Sequence, residues 1–316
     1  MAAPDLIDSE EEDTPERHQV AQRTTWVSVV VNLVLTALQV VVGFFAHSQA
    51  LIADGIHSLS DLVADFVVLL ASRHSRKGPD ADHHYGHHRY ETAASMVLGL
   101  LLLSVGVGML WSAVGKLSSP ESIPAVKPIA LYVALFTLLS KELLFRYMLK
   151  AAERVRSSML VANAWHARSD AASSLVVALG IVGNLMGYSL LDPVAALIVG
   201  FMVGKMGWEF AWNALNDLMD RSASQEQIDE IHALLRGTPG VVGVHDVRTR
   251  KMGDMIVVDA HLEVNEALTV REGHDIALQA RDRLMAQLPV LYVMIHLDPS
   301  TESPEQVPLQ GIAQSD

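Results

Sequence analysis

The sequence predicts an α-helical membrane protein with six transmembrane helices, followed by a small cytoplasmic α+β domain. Three observations lead there. Half of the 316 residues are hydrophobic against 19% charged, and the mean hydropathy is +0.27, too apolar for a soluble domain of this length. Between residues 25 and 213 the apolar residues gather into several stretches of about 20, the length one bilayer-crossing helix needs. From about residue 221 the composition turns polar, and the long apolar runs give way to short amphipathic segments.

Residues 1–20 come first. Asp5, Asp8, Glu10, Glu11, Glu12, Asp13 and Glu16 supply over half of the net charge of −13. So acidic a segment, lacking aromatics, cannot bury enough surface to fold, and it has no basic n-region of a cleaved signal, which predicts a disordered tail. Apolar windows then place spans near 25–46, 50–72, 92–115, 129–149, 159–187 and 191–213, making 21–220 the membrane domain. Six crossings put both termini on one side. The loop after the second span carries Arg73, Arg76, Lys77 and Arg89, and the loop after the fourth carries Arg146, Lys150, Arg154 and Arg156. Only Lys116 and Lys127 follow the third span, so the positive-inside rule predicts cytoplasmic N and C termini and a multi-pass plasma (bacterial inner) membrane protein.

Residues 221–298 read as αββαβ. Ser224–Leu235 has helical spacing and stops near Gly237 and Pro239; Val241–Arg250 and Met255–Val264 are strands around Gly253-Asp254; Val270–Leu288 is an amphipathic helix; Tyr292–Asp298 is a last strand. Roughly 80 residues suffice for a unit that folds alone. Residues 299–316, with Pro304 and Pro308, are predicted disordered, and no internal repeat is visible.

Several classes are excluded. Zero cysteines rule out disulfides, thiolate zinc sites and cysteine nucleophiles, so any metal is held by His, Asp or Glu. No basic stripe exists to neutralise phosphates, so no nucleic acid is expected. No H-E-x-x-H motif of an intramembrane metalloprotease occurs, and no enzyme activity is expected.

The second span holds the informative chemistry. Asp54, His57, Asp61 and Asp65 recur at steps of three and four and share one helix face. Each ionisable group at mid-bilayer costs about 2.5–3.5 kcal/mol on insertion scales, so the four need partners inside the bundle. The fifth span places His166 and Asp170 one turn apart, the same H-x-x-x-D spacing as His57 and Asp61. Two such pairs offer two imidazole nitrogens and two carboxylates to one ion, a tetrahedral set with no open position for a catalytic water. One divalent cation or two protons neutralise the two carboxylates, which is the logic of a metal/proton antiporter. Interhelical polar contacts without an ion are the structural alternative. Asp54 fits a helix-start or packing role, Asp65 the cytoplasmic approach. Lys141-Glu142 in the fourth span predicts pairing inside the bundle.

The run Ala50-Leu51-Ile52-Ala53-Asp54-Gly55-Ile56-His57-Ser58-Leu59-Ser60-Asp61, the segment Tyr85-Gly86-His87-His88-Arg89-Tyr90-Glu91, the His166/Asp170 pair and Asp192-Pro193 resemble the cation diffusion facilitator family over about residues 20–298. The bacterial ferrous-iron/zinc efflux branch is the most similar. The resemblance implies a homodimeric, six-helix, proton-coupled exporter of divalent metals with a ferredoxin-like, metallochaperone-like cytoplasmic domain. It assigns the transport site to His57, Asp61, His166 and Asp170. That branch commonly has Asp where this chain has His57. Imidazole in place of a hard oxygen suits Zn²⁺ or Co²⁺ better than Mn²⁺ or Mg²⁺, so Zn²⁺ is the expected substrate ahead of Fe²⁺, Co²⁺, Cd²⁺ and Ni²⁺.

Further sites follow from the same resemblance. Asp80, His83 and His87 have the spacing of the family's interfacial loop site; three ligand types within eight residues also fit a solvated His-rich loop that loosely captures metal, and His84 and His88 have no assigned partner. His245, His261, His274, His296 and Asp298 match a binuclear site at the dimer interface, with a structural or sensing role, while His232 reads as an ordinary helix residue. His296 and Asp298, two apart on one strand, point to one face. In the resembling family the residues corresponding to Arg89 and Asp220 form a charge pair that locks the dimer near the membrane surface; by the sequence alone each also fits a snorkelling or solvated charge. The expected partners are a second copy of the chain, metal ions, protons and membrane lipid. A membrane-embedded metal-binding scaffold or sensor without net transport is the alternative function, distinguished by whether metal crosses a sealed bilayer.

Overall fold

The computed structural model describes residues 15–75, 77–119, 123–154 and 158–300. Six long helices come first: α1 (Pro15–Ala46), α2 (Gln49–Ser75), α3 (Arg89–Leu117), α4 (Ile129–Arg154), α5 (Ser158–Leu185) and α6 (Leu191–Leu218). The shortest has 26 residues, about 39 Å at 1.5 Å per residue, more than a hydrocarbon core of about 30 Å. Each covers its predicted apolar window, displaced at most by a residue or two at one end. Helix α1 starts at Pro15, inside the segment predicted to be disordered; proline's fixed φ suits a first helical turn. The predicted C-terminal tail loses its first two residues to a strand, Pro299 and Ser300 pairing with Val264 and Asn265, and the remaining tail expectations, residues 1–14 and 301–316, lie outside the described residues.

Among the described residues, three helices are long and apolar enough to cross a membrane by length and composition: Gln22–Ala46, Arg89–Leu117 and Leu191–Leu218. Helices α2, α4 and α5 carry ionisable residues in mid-helix, which lowers their hydropathy while marking where the chemistry lies. The helical unit is inverted relative to a water-soluble bundle. Phe44, Trp111 and Tyr132 are 70%, 83% and 70% exposed, whereas Gln39, Asp54, Thr137 and Lys141 are buried. Outward aromatics and inward polar groups suit a lipid surround.

The chain forms two compact units, one of residues up to Val67 with Leu98–Glu209, the other of Val68–Val97 with Phe210 onward. In the first, α4 packs along α5 and α1. Helix α2 starts on a carboxylate: Ser48 Oγ donates to Asp192 Oδ1 at 2.6 Å and the Gln49 N–H to Asp192 Oδ2 at 2.7 Å. A negative group there satisfies donors of the first turn and complements the helix dipole. Helices α3 and α6 meet through glycine, since a Cβ on Gly106 would collide with the backbone of Gly204.

The second unit contains α7 (Gln225–Arg236), β1 (Val241–Met252), β2 (Met255–Asn265), α8 (Val270–Gln287) and β3 (Val290–Ser300), the αββαβ order read from sequence. Both helices begin in capping boxes, Ser224 with Gln227 and Thr269 with Glu272. The sheet order is β1-β2-β3, with β1 and β2 antiparallel and β2 and β3 parallel. Gly253, at φ 64°, turns the hairpin. Along β2, Ile256, Val258, Ala260 and Leu262 are buried in a core with Ile231 and Leu235 of α7 and Ala280 and Leu284 of α8. The alternate residues, His261 among them, therefore face away from the helices.

Close α3–α6 packing makes a specific prediction. A methyl at Gly106 must force the helices apart, whereas nothing lies within 4 Å of a methyl at Gly108. Gly106→Ala is expected to destabilise the protein by about 1–3 kcal/mol, and Gly108→Ala to leave its stability unchanged or slightly raised, as read by thermal unfolding in detergent.

Candidate metal centres

The first centre lies in the helical unit. His57 and Asp61, one turn apart on α2, approach at 3.6 Å between Nδ1 and Oδ2. Asp170 comes from α5, and one ligand atom each from His57, Asp61 and Asp170 lie within 4.8 Å of one another. His57 is 6% exposed, which removes most water competition for a bound ion. One imidazole nitrogen and two carboxylates thus converge from two helices. His166 is on α5 one turn before Asp170; its side chain, like that of Asp65, lies outside the described residues.

The neighbouring charges resolve differently from the sequence expectation. Lys141 and Glu142 do not share a bundle-internal pairing. Lys141 is buried with its Nζ 3.7 Å from Asp54 Oδ1, while Glu142 accepts from Arg146 Nε at 2.8 Å on a half-exposed face. Adjacent residues on a helix point about 100° apart, which separates the two. Asp54 lies in the second turn of α2 and takes the packing role, bonded across the bundle: Gln39 Nε2 donates at 2.5 Å, Ser174 Oγ at 2.6 Å and Ser173 Oγ at 3.0 Å.

The second centre is the loop between α2 and α3. Asp80 Oδ1 is 3.3 Å from His83 Nδ1, and Asp80 Oδ2 is 3.4 Å from His87 Nε2. His87 Nδ1 lies 3.3 Å from the carbonyls of Lys77 and Gly78. A proton on that nitrogen donates to them and leaves Nε2 as a lone pair facing Asp80, an arrangement that invites a cation between them. A hydrogen bond from Lys77 holds the Asp80 carboxyl well below the usual carboxylate range. His84 and His88 are not in this cluster.

The third centre spans the open face of the sheet. His245, His261 and His296 are direct neighbours across β1, β2 and β3, so strand register alone sets them in a row. Asp298 Oδ2 is 2.8 Å from His261 Nδ1 and 3.2 Å from His245 Nε2, and Asp298 Oδ1 is 3.3 Å from His296 Nε2. The His261 hydrogen bond is the main cause that lowers the Asp298 pKa. His274 is not brought to this row. Helix α8 turns Gly273, Ala280 and Leu284 inward and leaves His274 exposed, so the five-residue set does not assemble within one chain. Two acids missed in the sequence join instead: Glu263 Oε1 at 3.6 Å from His245 Nε2 and Asp246 Oδ2 at 4.0 Å from His245 Nδ1. Glu263 follows His261 by two on one strand, a period-2 signal that was available in the sequence.

Arg89 and Asp220 do pair, at 2.5 Å between Nη2 and Oδ1. The contact is made within one chain, and Arg89 Nη1 also donates to the Leu218 carbonyl at the end of α6. Such a half-exposed pair contributes about 0–1 kcal/mol by itself.

Residues 25–219 match the cation efflux transmembrane domain, and residues 223–300 match the cation efflux protein cytoplasmic domain. The chain belongs to the cation diffusion facilitator family. Among its relatives, the manganese efflux system protein MneP of Bacillus subtilis is 33% identical, covering 91% of this chain and 99% of its own length. The manganese efflux system protein MneS of the same organism is 32% identical over 86% and 93%. Metal tolerance protein C1 of Arabidopsis thaliana is 31% identical over 90% of this chain and 65% of its own length.

As a cation diffusion facilitator, the chain is a membrane transporter of the metal-efflux class, with a helical transmembrane domain and a dimer-forming cytoplasmic domain that contains a small sheet. That supports transport over the scaffold or sensor alternative. The sheet row generates a pH prediction. A metal held in this row would compete with protons for the imidazole nitrogens. Zn²⁺ binding that is lost in His261→Ala, measured by calorimetry on the full-length protein, is expected to weaken by about tenfold or more from pH 7 to pH 6.

Proposed function

We propose that the protein is a proton-coupled antiporter that exports divalent transition metal from the cytoplasm, Zn²⁺ first. The observation that carries this reading is the convergence of His57 and Asp61 of α2 with Asp170 of α5 in a buried position among lipid-facing helices. His166, one turn from Asp170, supplies the fourth ligand. Together they form a two-nitrogen, two-oxygen set that suits tetrahedral Zn²⁺. The divalent ion neutralises both carboxylates; when two protons take its place the ion leaves, so binding is exclusive and transport is exchange. Protons compete with the metal for an imidazole ligand in the same way, which aids release on the acidic side. All six long helices cross the membrane, and both termini are cytoplasmic, on the charge distribution of the loops.

The remaining sites take supporting roles. Asp80, His83 and His87 gather metal near the cytoplasmic mouth, and the row His245, His261, His296 and Asp298 binds metal in the cytoplasmic domain spanning 221–298. The family resemblance groups His274 with that row at a dimer interface, and its exposed place on α8 leaves it open to such an interface. The Arg89–Asp220 pair steadies the same region.

A second reading is Mn²⁺ efflux, favoured by the manganese efflux relatives at 33% and 32% identity. His57 separates the two, because imidazole favours zinc over the harder manganese. In sealed proteoliposomes Asp61→Ala or Asp170→Ala is expected to abolish flux while the dimer stays folded, and undiminished flux in either variant would sink the site. His57→Asp is expected to shift the wild-type preference for Zn²⁺ toward Mn²⁺ or Fe²⁺; a wild-type protein that carries Mn²⁺ in preference to Zn²⁺ would favour the second reading.

A further inference from the structure

We propose that the buried Lys141–Asp54 pair is a positioning device that fixes the spacing of α2 and α5 and so sets metal affinity at the transport site, an inference that rests on the site proposed above. Both members are ionisable, yet Lys141 is 3% and Asp54 1% exposed at the side chain. A buried ion pair of this kind is often no more stabilising than apolar residues of the same volume, so its presence needs a reason other than stability.

Its contacts supply one. Lys141 Nζ donates to Ser58 Oγ of α2 at 3.1 Å and to the Asp170 carbonyl of α5 at 3.4 Å, and it lies 3.7 Å from Asp54 Oδ1 of α2 as an ion pair. Asp54 in turn accepts from Ser173 and Ser174 of α5. Ser173 Oγ also lies 2.7 Å from the Asp170 carbonyl. One ammonium and one carboxylate therefore tie together the two helices that carry the ligands, at the residue after His57 and at the backbone of Asp170. Gly55 admits this arrangement on the α1 side, where a Cβ would meet Val40 at 2.8 Å and Gln39 at 3.1 Å. Gln39 reaches Asp54 beside that gap. The same bonds occupy the Asp54 oxygens, which accounts for its absence from the ligand cluster although it shares the helix face.

Partners outside the ligand shell typically change metal affinity about 10–100-fold when removed. The test uses full-length protein in a His83→Ala/His261→Ala background, which silences the loop site and the sheet row, with Zn²⁺ alone as the probe. Lys141→Met leaves Asp54 uncompensated and risks misfolding, so the decisive variant is the neutral double Asp54→Asn/Lys141→Met, with Ser174→Ala as a mild companion. The expected result is a calorimetric Kd and a half-saturation of flux raised about tenfold or more in the double variant. Maximal flux per folded dimer should change less than about twofold, and Ser174→Ala should shift in the same direction. A folded double variant with the wild-type Kd overturns the inference whatever its flux. Asp170→Ala in parallel keeps the two ideas apart: if it retains transport-site binding, the site itself is wrong; if it loses binding while the double variant keeps it, only the positioning role fails.

Discussion

Ionisable groups placed inside a lipid-surrounded bundle must be neutralised there, and most of what is distinctive about this protein follows from that constraint. Transfer of an isolated charge into a medium of low dielectric is prohibitive, so each buried acid needs a cation, a proton or a set of donors. Asp54 has Lys141, Gln39 and two serines. Asp192 has Ser48 and the first N–H groups of α2. Asp61 and Asp170 meet each other and His57, and two acids brought together call for a dication or two protons. The same electrostatic rule thus separates acids that hold the fold from acids that can exchange their partner.

The cytoplasmic module obeys a different economy. Its core is apolar and one-sided, with α7 and α8 covering the buried residues of the sheet. The opposite face carries a transverse row of histidines, set by register rather than by any loop. A one-residue slip of β2 would send His261 into the core and Leu262 to the open face, so the site inherits the stability of the strand pairing. Rigid strands hold a ligand geometry better than flexible loops do.

Much of this was legible in the sequence for identifiable reasons. Apolar run length gave the six helices, and the recurring H-x-x-x-D spacing pointed to His57, Asp61 and Asp170 because helical periodicity makes such pairs coincide. The His296/Asp298 alternation worked for the same reason in a strand. What could not be read was partnership across helices. Nothing local ties Lys141 to Asp54, 87 positions earlier in the chain, and the adjacency of Lys141 and Glu142 suggested a common fate that helix geometry denies. His274 was grouped with the sheet row by resemblance, yet the amphipathic face of α8 dictates that it points elsewhere in its own chain. The early start of α1 at Pro15 was hidden by an acidic composition that resembles a tail.

In the proposed cycle metal and protons compete for one pair of membrane carboxylates, Asp61 and Asp170. Recording luminal pH and Zn²⁺ together, in sealed proteoliposomes that contain the full-length protein with an acidic lumen, tests this competition. Zn²⁺ added outside should enter while the lumen becomes alkaline in step, and collapsing the pH gradient should stop accumulation. Zn²⁺ entry with no proton movement and no dependence on the gradient would contradict it.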